Sequence, residues 1–193
     1  MNGGVIGKKN ILTSGIWLVD DVLLSTNGIQ TGVPKDAVIY ETFESSSGIT
    51  VYQAVVSTNT TNFKSGSAAV NLYKTQTSYT YFESYKTGMP SADFTGKTLG
   101  VLIYIKEQVV LDKLASIGWL WGQSTTKRFG KSIEASTLGL GWNKIEFSVD
   151  SFGVNSGTPT KTGVVFWDFT GNAKDKTYTF SAGDIVLDAF YYR

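Results

Sequence analysis

The chain has no cysteine and no histidine among its 193 residues. Without thiols there are no disulfides and no thiolate metal sites. Without imidazole, the usual neutral-pH proton shuttle and the Ser–His and Cys–His nucleophile systems are also excluded. The missing thiols say nothing about redox compartment, because such a chain is indifferent to it. An excess of one charge is lacking too, since 17 Lys and Arg stand against 16 Asp and Glu. Such a chain has no electrostatic footprint for nucleic acid or an anionic membrane surface, and neither partner is expected. No run of about 20 apolar residues occurs, so membrane insertion is not expected. The first ten residues lack the apolar core and small-residue cleavage site of a signal peptide. A Gly-rich phosphate loop, metal-hydrolase spacing and a nucleotide fingerprint are all missing. No internal repeat points to a solenoid or propeller.

What the sequence does have is glycine (21), many Ser and Thr, and an aromatic content of 13% with only 3 prolines. This composition suits an all-β protein. Residues 1–36 have a different texture from the rest. A glycine-rich start leads into the apolar stretch Gly15–Leu24, followed by the turn formers Asn27-Gly28, Gly32 and Pro34. We read this segment as an N-terminal arm and linker. It is too short to bury Trp17, Leu18, Val22 and Leu23 against itself, so it docks either on its own domain or on another chain.

From Ala37 onward, about ten short extended runs alternate with turn signals. They are Ala37–Glu44, Ile49–Val56, Ser67–Tyr73, Ser78–Ser84, Thr98–Lys106, Ser116–Gly122, Trp142–Val149, Gly163–Phe169, Thr177–Phe180 and Asp184–Tyr192. Leu99, Val101, Ile103 and Ile105 share one face of their run, and Tyr79, Tyr81, Glu83 and Tyr85 share one face of another. Glu107–Ala115 reads as a helix or as a loop with a single turn. The pattern predicts a two-sheet antiparallel sandwich over residues 37–193. The β-branched and aromatic run Asp184–Arg193 reads as a strand that closes the fold.

Five segments, in this order, resemble the jelly-roll sandwiches of concanavalin-A-like and carbohydrate-binding-module type. They are Tyr40-Glu41-Thr42-Phe43-Glu44-Ser45, Ser65-Gly66-Ser67-Ala68-Ala69-Val70, Leu111–Ser116, Gly141-Trp142-Asn143-Lys144-Ile145 and Val186-Leu187-Asp188-Ala189-Phe190. The resemblance implies an all-β jelly-roll β-sandwich whose first and last strands lie side by side around a structural Ca2+. Glu44 and Asp188 match the two carboxylate positions, with Glu41 a third and carbonyls near Lys64–Ser67 completing the oxygen shell that calcium needs. The other reading is that Asp188 is solvated or salt-bridged, because burying it unpaired is costly.

A second resemblance covers the arm alone. Gly4-Val5-Ile6-Gly7-Lys8-Lys9-Asn10 and Thr13-Ser14-Gly15-Ile16-Trp17-Leu18 resemble the short N-terminal peptide of many bacteriophage tail and virion proteins. That peptide usually has proline before the threonine and Ser-Leu after the tryptophan, where this chain has Leu12 and Leu18-Val19. The resemblance implies a virion location and an oligomeric particle context. Ile16, Trp17 and Leu18 would then anchor on other virion proteins.

Trp119 and Trp121 share a face of their strand and are either core residues or a sugar-stacking platform. On the platform reading, the carbohydrate-binding residues are Tyr79, Tyr81, Tyr104, Trp119, Trp121, Arg128 and Trp167. Catalysis would need two flanking acids, as in glycoside hydrolysis. The Glu-x-Asp-x-x-Glu motif of laminarinase-like relatives is absent, and Glu41 and Glu44 point to opposite faces of a regular strand. We therefore expect no enzyme. The expected function is a phage virion structural or accessory protein displaying a carbohydrate-binding-like sandwich, with host-surface glycan as a possible partner. The alternative is the carbohydrate-binding module of a polysaccharide-degrading enzyme.

Overall fold

A computed structural model describes residues 23–25, 28–30, 32–151, 153–157 and 159–193. Among these, the strands in chain order begin with β1 (Leu23–Ser25), β2 (Gly28–Gln30), β3 (Val38–Glu41), β4 (Thr50–Tyr52), β5 (Val55–Asn59), β6 (Ala69–Tyr73), β7 (Tyr81–Lys86) and β8 (Thr98–Ile105). The short helix α1 (Gln108–Lys113) precedes β9 (Leu114–Ser124), β10 (Lys127–Glu134), β11 (Gly141–Ser148), β12 (Gly153–Ser156), β13 (Phe166–Ala173) and β14 (Ile185–Tyr192). Two antiparallel sheets form the sandwich. Sheet I has the order β12-β10-β9-β13-β7-β4, and sheet II has the order β11-β8-β14-β6-β5, with β3 also paired to β14. The β1–β2 hairpin lies beside β11. This is the antiparallel jelly-roll sandwich that the strand pattern and the resemblance predict.

The period-two alternation decides what each sheet hides. On β8, Leu99, Val101, Ile103 and Ile105 enter the core between the sheets, as predicted, and Gly100, Leu102 and Tyr104 face away. Trp119 and Trp121 of β9 and Trp167 and Phe169 of β13 meet them from sheet I. An aromatic chain ties the layers together: Phe43 sits 4.8 Å from Phe190 and 5.1 Å from Trp167, and Trp121 sits 5.0 Å from Phe190 (ring centroids). Aromatic pairs in such edge-on arrangements contribute about 0.5–1.5 kcal/mol each beyond area burial.

The closing strand sits inside its sheet. β14 pairs with β8 on one side and with β6 and β3 on the other, with Phe190 opposite Glu41. Its register shifts between Asp188 and Tyr191, where Ala189 adopts a positive φ of 46°. The extra residue of this bulge lets Leu187 and Phe190 both face the main core. Ala189 and Tyr191 face the other way and join Leu102 in a small second cluster under Val33, Ala37 and Trp142.

Some predicted elements differ. Ile49–Val56 divides into β4 in sheet I and β5 in sheet II, turning at Gln53 with φ 55°. Thr177–Phe180 is not a strand, and its loop is pinned by the buried Lys74, whose Nζ donates to the carbonyls of Lys176 and Tyr178 at 2.8 and 2.7 Å. β10 and β12 were not predicted. The charges of Lys127, Arg128, Lys131 and Glu134 mask the alternation of β10.

Candidate functional site

The face of sheet I turned away from the core carries the side chains that alternation keeps out of it. On β7 these are Tyr81, Glu83 and Tyr85, since the intervening Phe82 is in the core. Tyr52 of β4 pairs with Glu83, and its ring lies 6.3 Å from that of Tyr81. Val51, Tyr52, Tyr81, Glu83, Tyr85, Thr125 and Arg128 line a cleft here of about 340 Å³. That is near the lower end of the roughly 300–1,000 Å³ usual for small-molecule sites. Tyr52 is 54% exposed and so offers an accessible ring at the cleft edge.

Beneath the tyrosines lies a charged triad. Arg128 Nη1 stands 3.1 Å from Glu83 Oε1 and also pairs with Asp168, which is fully buried on β13. Burial pushes the Asp168 carboxyl up to about 9, the hydrogen bond and charge of Glu83 add to the rise, and Arg128 opposes it. Burial also works to raise Glu83. The hydrogen bonds it receives from Asp168, Tyr81 and Arg128 outweigh that and hold it below the usual carboxylate range. The two shifts run in opposite directions, so Asp168 is the group that holds a proton more readily and Glu83 the one that carries charge beside Arg128. Burial, with the bond to Glu83, raises the Tyr81 phenol far above its ordinary range, so it stays a donor.

Of the residues named from sequence, Tyr81 and Arg128 lie on this face. Tyr79 is exposed in the loop before β7. Tyr104 is on sheet II, where it packs on Trp142 at 5.6 Å between centroids. The platform reading of Trp119, Trp121 and Trp167 is corrected. All three are fully buried in the inter-sheet core, because alternation turns them inward with Ile117 and Phe169. A ring sealed between two sheets has no face to offer a sugar. Tyr52, Glu83, Tyr85 and Asp168 were missing from the predicted set. The Tyr81-Glu83-Tyr85 alternation was the signal for two of them. Ile16, Trp17 and Leu18 lie outside the described residues.

A second cluster joins β14 to the segment that follows β3. Asp188 Oδ2 accepts the backbone N–H groups of Lys64 and Ser65 at 2.6 and 2.8 Å, while the buried Oδ1 has no hydrogen-bond partner. Burial is the main cause that pushes the Asp188 carboxyl up to about 6, and the nearby Glu44 charge contributes. Glu44 accepts the Ser67 N–H and hydroxyl at 2.9 and 2.8 Å. Each of these carboxylates is next to a strained non-glycine residue, Phe43 at φ 55° and Ala189 at φ 46°. Such conformations cost about 1–3 kcal/mol and persist where surroundings or function require them. Glu41 does not join the pair. Its carboxylate accepts Lys86 Nζ at 2.7 Å, Trp167 Nε1 at 3.3 Å and the Phe43 N–H at 3.2 Å, so its predicted ligand role is corrected to a buried ion pair. Among the described residues, no group of three or more acidic side chains is placed to hold a metal. A cation here would rest on Glu44, the free Asp188 Oδ1 and backbone carbonyls.

The fold has solved counterparts. A family 11 carbohydrate-binding module from Clostridium thermocellum, determined in complex with a β-1,3-1,4-mixed-linked tetrasaccharide, superposes with a TM-score of 0.57 at 16% identity over 81% of this chain and 94% of its own. A carbohydrate-binding module of the β-sandwich superfamily described for promiscuous specificity gives 0.56 at 13% identity, covering 89% of this chain and 71% of its own. An exo-β-agarase gives 0.55 at 12% identity, with 83% of this chain matching 25% of that one. At such identities the likeness is one of fold. No protein-family model and no curated protein matches the sequence.

Proposed function

We propose that the protein is a non-catalytic glycan-binding β-sandwich whose ligand lies in the sheet I cleft between Tyr52, Tyr81 and Tyr85, above the Glu83–Arg128–Asp168 triad. The observation that carries this reading is the combination of accessible tyrosine rings with fixed polar groups in one open cleft. Ring faces pack on pyranose C–H faces, and carboxylate and phenol groups read the hydroxyls. The carbohydrate-binding neighbours of the fold support it. Glu83 and Asp168 both pair with the same Arg128 Nη1, whereas paired glycosidase acids stand about 5–9.5 Å apart with the scissile bond between them. That contact argues for binding rather than cleavage. Affinity gel electrophoresis in soluble mixed-linkage β-glucan and in agarose tests it, with retardation expected and free migration in every glycan counting against it.

For the setting we propose a phage virion, with residues 1–36 as the attachment arm and a particle displaying many copies. Weak sugar contacts then gain by avidity. The support is the resemblance of residues 4–18 to virion N-terminal peptides. The second setting, a module of a polysaccharide-degrading enzyme, is favoured by the agarase, in which the matching sandwich is about a quarter of the chain. Stoichiometric presence in purified particles supports the first. A catalytic domain in the same reading frame supports the second.

We also propose that Glu44 and Asp188 hold a structural Ca2+. The ion would supply charge neutralisation between the converging carboxylates and tie β14 to the segment that follows β3.

A further inference from the structure

Resting on the glycan-binding reading of the sheet I cleft, we infer that the Arg128–Glu83–Asp168 triad is a charge filter that admits uncharged polysaccharides and excludes uronate- or sulfate-bearing ones. An arginine in an open cleft ordinarily recruits carboxylate or sulfate through its fork of donors. Here Arg128 Nη1 is already shared between Glu83 and Asp168. Arg128 is the only cation among the described residues lining the cleft.

The local charge is therefore zero when the two acids share one proton and negative when they do not. An anionic sugar approaching the guanidinium meets the two carboxyl groups already paired with its Nη1 and is repelled by the Glu83 charge. A neutral sugar meets no such obstacle, because its hydroxyls can donate to Glu83 and accept from tyrosine phenols.

The test compares the wild-type protein in gels containing mixed-linkage β-glucan or agarose with gels containing alginate or carrageenan. We expect retardation by a neutral glycan, none by the anionic ones, and neutral binding that does not change between low and high salt. In Glu83→Gln the affinity for the anionic glycans relative to the neutral ones should rise about tenfold, the scale of removing one nearby unit charge at a partly exposed site. Should that variant fail to fold, the wild-type panel and its salt series still decide the matter. Wild-type binding to alginate or carrageenan, or neutral binding that collapses with salt, overturns the filter while leaving glycan binding intact. Binding to neither class removes the proposed function and the filter together.

Discussion

Arg128 reaches Asp168 across an intervening strand. The two belong to β10 and β13, with β9 between them, and the β9 residue opposite Arg128 is Gly122. A Cβ on Gly122 would stand 2.0 Å from the Lys127 carbonyl oxygen and 2.6 Å from Arg128 Cα. Gly122→Ala must therefore displace the bulged start of β10. We expect a loss of about 1–3 kcal/mol, the usual range for overpacking, measured by urea unfolding, together with weaker glycan binding as the triad moves.

Removing Arg128 alone should cost more than removing the whole triad. Arg128→Met leaves Asp168 and Glu83 facing each other without a cation, and breaking a buried pair in this way costs about 3–5 kcal/mol. Adding Glu83→Gln and Asp168→Asn to that variant should restore much of the loss. Additive losses in the triple variant would contradict the coupling.

The triad also sets a pH dependence. The folded-state affinity of Asp168 for its proton, at about 9, lies above that of the unfolded chain. Between about pH 4 and pH 9 the folded state therefore binds more protons than the unfolded state, and this group makes stability fall as pH rises. Glu83, held low, acts in the opposite sense, and its contribution is lost only in acid below about pH 4. Thermal melts from pH 5 to 9 should show the decline, and Asp168→Asn should flatten it.

Calcium should stabilise the protein through Asp188. A chelator is expected to lower the melting temperature and added Ca2+ to restore it, by the usual linkage of binding to folding. Asp188→Asn should abolish the response. A wild-type melt indifferent to both additions would leave Asp188 as a carboxylate held by the Lys64 and Ser65 amides alone.

Much of the fold was legible in the sequence because its core strands place large apolar residues on one face, as Leu99, Val101, Ile103 and Ile105 do on β8. The pairing of the closing strand with the strand that holds Tyr40 and Glu41 was implied by the resemblance to carbohydrate-binding-type sandwiches. The candidate site was harder to read. Tryptophans carry the strongest sequence signal for sugar stacking, yet Trp119, Trp121 and Trp167 serve the core, because indoles bury large areas on either reading. The site residues come from β4, β7, β10 and β13, and nothing in the sequence shows that sheet I places these strands in the order β10-β9-β13-β7-β4. Glu83 and Asp168 are 85 positions apart, so no local pattern could reveal that they meet at Arg128.

The central claim is that glycan binds on the outer face of sheet I, and titration calorimetry with a neutral oligosaccharide tests it most directly. Tyr52→Ala and Tyr81→Ala should each weaken binding about tenfold or more, the scale of losing one stacked ring, while Tyr104→Ala on sheet II leaves it unchanged. Full affinity in both cleft variants, with folding intact, or its loss in Tyr104→Ala alone, would contradict the account.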